Sequence, residues 1–95
     1  MEAIRPGLTR VIGKLLQTQP RSEAALLAWP LICGSEVASR TRAVTFKEGR
    51  LIVEVPDTGW RGQLSHLAPA YVTRLTDLLG PLVNEVRFQV HREGK

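Results

Sequence analysis

Cysteine occurs once in this 95-residue chain, at Cys33. One thiol cannot close an internal disulfide, and the cysteine pairs that hold zinc are missing, so stability has to come from packing. Free cysteine is among the most buried residue types, which places Cys33 in the expected core. Histidine is limited to His66 and His91, and aspartate to Asp57 and Asp77. The sequence holds no nucleophile and base pair, no H-x-x-x-H metal spacing and no GxxxxGK(S/T) phosphate loop. The expectation is a protein that is not an enzyme and uses neither a metal nor a cofactor; His66, off any apolar stripe, is expected to be solvated. No apolar run approaches the roughly 20 residues that span a bilayer. The opening MEAIRPGLTR has no hydrophobic signal core, so no membrane role is expected and the expected location is the cytoplasm. Blocks of like charge, internal repeats and low-complexity segments are also missing.

What remains is enough for one domain and one core, residues 1–95, burying about 60 to 65% of the surface of the unfolded chain. The formal charge is +4, and arginine supplies ten of the thirteen cations. The planar guanidinium fork pairs well with phosphate, so an anionic partner fits; mild basicity that serves solubility alone fits equally.

The stretch Thr45 to Leu64, TFKEGRLIVEVPDTGWRGQL, organises the rest. Alternation places Val44 and Phe46 on one side of a first strand and Leu51, Val53 and Val55 on one side of a second, with Arg50 and Glu54 opposite. Glu48-Gly49 is the turn, glycine supplying the positive φ that a short hairpin connection needs. Pro56 cannot donate to a ladder, so the second strand stops at Val55, and Asp57 or Thr58 caps the following helix.

Before the hairpin, Ile4, Leu8, Val11, Ile12 and Leu15 form one stripe of a helix starting near Pro6 or Gly7. Residues around Pro20 read as loop, and Ser22 as the cap of a second helical region whose stripe is Leu26, Trp29, Cys33 and Val37. Pro30 predicts a kink or two short helices there, and Gly34 either a local break or close approach of another backbone. After the hairpin, Trp60, Leu64, Leu67, Tyr71, Leu75 and Leu78 keep helical spacing, with a bend near Ala68 because Pro69 opens a second segment. Gly80-Pro81 ends it. A last strand from Glu85 to Arg92 alternates Val86, Phe88 and Val90 inward with Arg87, Gln89 and His91 outward.

The predicted class is α+β: a small three-stranded sheet with helices packed on one face, in the order α-α-β-β-α-β. Strand order and oligomeric state stay open. The free face carries Thr45, Lys47, Arg50, Ile52, Glu54, Arg87, Gln89 and His91, a surface that suits phosphates and bases but also suits plain solvent.

Trp29, Gly34, Thr41, Gly49-Arg50-Leu51, Val53 and Val55, Trp60, Leu64 and Arg87-Phe88 together resemble the DciA-type family of bacterial proteins over Leu26 to Val90. The resemblance implies a KH-like domain, with residues 1–21 as N-terminal helix and loop and residues 22–92 as the family core. It also implies a part in DNA replication, in which family members bind and help to load the replicative helicase DnaB and bind DNA, here expected to be single-stranded. Family members often carry a long basic extension, whereas Lys95 follows the last strand closely, so functions that need such an extension are not expected of this stretch.

The candidate nucleic-acid contacts are Arg40, Arg42, Lys47, Arg50, Arg61, Arg87 and Arg92, and the candidate structural positions are Trp29, Gly34, Gly49, Trp60 and Leu64. Gly59-Trp60-Arg61-Gly62 matches the GxxG with which KH domains clamp a nucleic-acid backbone. It opens a helix rather than joining two, and Trp60 lies on the apolar stripe, so packing is the better reading. Arg61 is retained because it sits beside a helix N-terminus. Three functions remain: a replication accessory protein touching DnaB and DNA, a KH-like module for RNA or single strands, and an interaction adaptor without nucleic acid. Salt dependence of binding separates the first two from the third.

Overall fold

The hairpin forms where alternation and turn chemistry agree. In the computed structural model, which describes residues 14–16 and 18–91, β1 (Arg42–Lys47) pairs antiparallel with β2 (Arg50–Val55). Glu48 and Gly49 between them both have positive φ, 54° and 79°, which matches the twist of the flanking strands. A Cβ at Gly49 would also collide with the Asn84 side-chain amide. The Gly49 carbonyl accepts from Asn84 N at 2.7 Å and Glu85 N at 3.1 Å, which ties the turn to the start of β3 (Glu85–Val90).

Strand order, open in the sequence, is β1-β2-β3, with β3 parallel to β2. A parallel neighbour requires a long crossover, and α3 (Thr58–His66) and α4 (Ala68–Leu79) supply it. Asp57 is the cap of α3, its Oδ1 accepting from Trp60 N at 2.9 Å. The expected bend is a full break at Leu67, with Pro69 in the first turn of α4, where its missing N–H costs nothing.

The first strand departs from simple alternation. Ala43 stands opposite Val53 and Phe46 opposite Leu51, a step of three residues, because the register shifts between Ala43 and Thr45. The bulge makes Val44 the extra residue, so Ala43 rather than Val44 joins Phe46 against the core.

The region before the sheet forms α1 (Arg21–Ile32) and α2 (Ser35–Arg40). Pro20 occupies the cap position of α1, so Ser22 lies inside the first turn. Pro30 is accommodated within α1, and the chain breaks instead at Gly34, whose φ is 90°. Nothing lies within 4 Å of where a Cβ would be, so Gly34 serves backbone conformation at an exposed break and is not a core position. The buried side of α1 is Ala24, Ala25, Ala28, Trp29 and Ile32, with Cys33 beyond, whereas Leu26 and Val37 are only half-buried. Small residues let this helix lie close to β1 and α4, which it packs against.

Trp29 rather than Trp60 is the centre of the core. It is 1% exposed and meets Tyr71 and Phe88 edge-on at centroid distances of 4.9 Å and 5.8 Å. Its Nε1 donates to Thr41 Oγ1 at 3.0 Å, and that hydroxyl donates to Val37 O at 2.7 Å, so the buried indole N–H is satisfied. Trp60 is half-buried at the margin, Leu64 is buried, and Leu67 is 47% exposed because the helix break turns it out of the stripe. Arg74 closes the end of α1, its Nη1 donating to Ile32 O at 3.1 Å while its guanidinium carbon lies 5.9 Å from the Tyr71 ring centre.

The expected first helix falls mostly outside the described residues. Within them, residues 14–16 are helical, and Leu16 rather than Leu15 is buried, at 7% against 63% exposed.

Candidate nucleic-acid interface

Helices α1, α3 and α4 pack against the strands, whose buried face is built by Leu51, Val53, Val55, Val86 and Phe88, and α2 packs on α1. Pairing puts three rows on the other face: Lys47, Arg50 and Glu85; Thr45, Ile52 and Arg87; Arg42, Glu54 and Gln89. His91 follows at the end of β3. The structure thus gathers four of the expected cations, Arg42, Lys47, Arg50 and Arg87, on one surface around a half-buried Ile52.

Two carboxylates lie among them. Glu85 Oε1 accepts from Arg50 Nε at 3.0 Å, and Oε2 accepts from Arg87 Nε at 3.2 Å and Nη2 at 3.1 Å. These donors, Arg50 first, hold the Glu85 carboxyl below the usual carboxylate range. Glu54 Oε1 lies 2.9 Å from His91 Nδ1 and 3.6 Å from Arg42 Nη2. Among the described residues Lys47 has no ion pair.

The pairs orient the guanidinium groups without hiding them. The side chains of Arg42, Arg50 and Arg87 keep 73%, 49% and 58% of their exposure. Glu85 engages only Nε of Arg50, so both terminal amino groups of that fork remain for another anion. The face can therefore take phosphate or carboxylate oxygens at several points, with Ile52 as an apolar contact between them.

The other candidates lie elsewhere. Arg40 ends α2, and Arg61 lies in the first half of α3, a helix that packs against the opposite face of the sheet. Neither joins the cluster. Arg92 is outside the described residues. Gly59 to Gly62 lie within α3, while the junction between α3 and α4 is His66, Leu67 and Ala68, without the two glycines of a KH clamp. Glu85 joins the site although it is not among the sequence candidates; its two-residue spacing from Arg87 places both on one side of a strand.

Among the described residues no group of His, Cys, Asp and Glu could hold a metal ion, and no helix is long and apolar enough to cross a membrane. Cys33 is 6% exposed, and burial pushes its thiol up to about 11, which keeps it protonated and unreactive.

A search of curated proteins finds no significant match. The model of one family, described as Dna[CI] antecedent, DciA, matches residues 6–88. That span takes in both strands of the hairpin, the crossover helices and most of β3, and the chain belongs to the DciA family.

Proposed function

We propose that this domain is a replication accessory module that docks on the replicative helicase DnaB and contacts single-stranded DNA through the open face of its sheet. Its family is one related to loading of that helicase. The observation that carries the DNA reading is the gathering of Arg42, Lys47, Arg50 and Arg87 on a face that no described helix covers, against only Glu54 and Glu85. Cations on a sheet position the nucleic-acid backbone, and an apolar side chain between them gives bases a surface to rest on. Contacts of this kind position the backbone and read no base edge, so affinity with little sequence preference is expected.

Binding of a labelled single-stranded oligonucleotide across a salt series tests this. Neutralising three phosphates gives a log-log slope near about −2. Replacing Arg42, Arg50 and Arg87 with glutamine should flatten that slope in a protein that remains folded; an unchanged slope removes the sheet face from the site. Co-purification with the helicase separates a replication module from a general single-strand or RNA binder. A salt-independent helicase complex without DNA binding would leave an adaptor, for which exposed Leu27 and Leu31, one helical turn apart on α1, provide the apolar surface.

A further inference from the structure

Glu85 sits where an incoming phosphate would bind. Its Oε2 accepts from Arg87 Nε and Nη2 at 3.2 Å and 3.1 Å, and its Oε1 accepts from Arg50 Nε at 3.0 Å. Nε and Nη2 form one of the edges by which a guanidinium donates in parallel to an oxyanion. That edge of Arg87 is therefore filled by a carboxylate of the chain itself. Carboxylate and phosphate oxygens ask for the same donors, so the two compete.

The occupant is free to leave. The side chain of Glu85 is 43% exposed, and its partners Arg50 and Arg87 are 49% and 58% exposed, so these pairs stand in water, where each holds weakly. The backbone is fixed independently, because Glu85 N donates to Gly49 O at 3.1 Å and β3 keeps its register with β2 from this residue onward. Only side-chain torsions have to turn to open the fork. Glu54, the other carboxylate of the face, is placed differently. Its side chain is 20% exposed and lies 2.9 Å from His91 Nδ1, while Arg42 Nη2 stands 3.6 Å away, beyond hydrogen-bond reach. The donors of Arg42 stay open, and those of Arg87 do not.

We propose that Glu85 is a built-in competitor for the nucleic-acid backbone: a phosphate binds between Arg50 and Arg87 by displacing its carboxylate, and Glu85 thereby sets the affinity of the open face. This rests on the reading of that face as the DNA surface.

The test is binding of a labelled single-stranded oligonucleotide across a salt series by four full-length chains: the natural one, Glu85→Gln, Arg50→Gln with Arg87→Gln, and all three replacements together. Glutamine keeps the length and one acceptor of Glu85 but not its charge. Glu85→Gln should bind about three- to fivefold more tightly at low salt. Its log-log slope should steepen by about 0.7, the equivalent of one more phosphate neutralised on a single strand. Without the two arginines the same replacement should gain less than about twofold, the screened effect of one charge alone. Three results would overturn the proposal while leaving DNA binding by the face intact: Glu85→Gln binding no tighter than the natural chain, an equal gain with and without the two arginines, or an equal gain from Glu54→Gln. Failure of the DNA reading itself looks different, since the natural chain and Glu85→Gln would then both leave the oligonucleotide unbound, and the proposal would fall with it.

Discussion

On the helix-covered face of the sheet, Leu51, Val53, Val55, Val86 and Phe88 are between 0% and 6% exposed, while on the opposite face Arg50 and Arg87 keep about half of their side-chain exposure. The same strands make both surfaces, since successive residues point to opposite sides. Contacts on the covered face are dispersive, closed to water and made with fixed neighbours. Contacts on the open face are ion pairs in water, each worth little and each open to exchange for another anion. The difference separates the part of the molecule that holds its shape from the part that can change partners, and substitutions on the two faces should have separable effects.

The largest effect belongs to the covered face. Trp29→Ala removes the ring that Tyr71 and Phe88 pack against and leaves the Thr41 hydroxyl without its donor. A loss of about 3 to 5 kcal/mol is expected, read from the urea midpoint. In a domain of this size that is a large share of total stability. The triple replacement of Arg42, Arg50 and Arg87 by glutamine should do the reverse, flattening the salt dependence of the proposed DNA binding while leaving the urea midpoint almost where it was. Equal losses of stability from both variants would mean that the two faces do not divide the work in this way.

A smaller change tests the link between the faces. Asp57→Ala removes the cap that fixes where α3 starts after β2 and should cost about 1 kcal/mol in the same denaturation experiment. The smallest effects lie at the extremes of pH and oppose each other. The Cys33 thiol is raised from 9.0 to about 11 by burial, so the folded state holds its proton where the unfolded state has released it. Its contribution is complete below about pH 9 and lost as pH rises through about 11. The Glu85 carboxyl is lowered by Arg50 and Arg87, so its contribution is present above the usual carboxylate range and lost as pH falls through the folded value. Denaturation across pH should show Glu85→Gln flattening only the acid limb.

Several features were readable in advance because they depend on neighbours in sequence. The Glu48-Gly49 turn, the Asp57 cap, the end of β2 before Pro56 and an interruption just ahead of Pro69 each follow from local backbone chemistry, and each is found, the last at Leu67. The cations of the open face were legible for the same reason, since Lys47, Arg50 and Arg87 are assigned to one side by counting in twos. Val44 departs from the predicted alternation because a bulge inserts one residue without a mark in the pattern. Trp60 lies on the predicted stripe yet only at the margin of the core, because the spacing of α3 is helical whether or not the helix start reaches the centre. Arg61 shares the charge of Arg50 but is carried by a helix on the other side of the sheet.

By itself the sequence determined the order of the elements, the hairpin turn, the end of β2, the start of α3 and the two-sided character of β2 and β3, since steric limits on the backbone and the period of two act over a few residues. The tertiary structure decided that β3 lies parallel beside β2, that Trp29 is the centre of the core, and that Glu85 stands between Arg50 and Arg87. Those outcomes depend on which distant segments meet, and that is fixed only when apolar surfaces far apart in the chain are buried against each other.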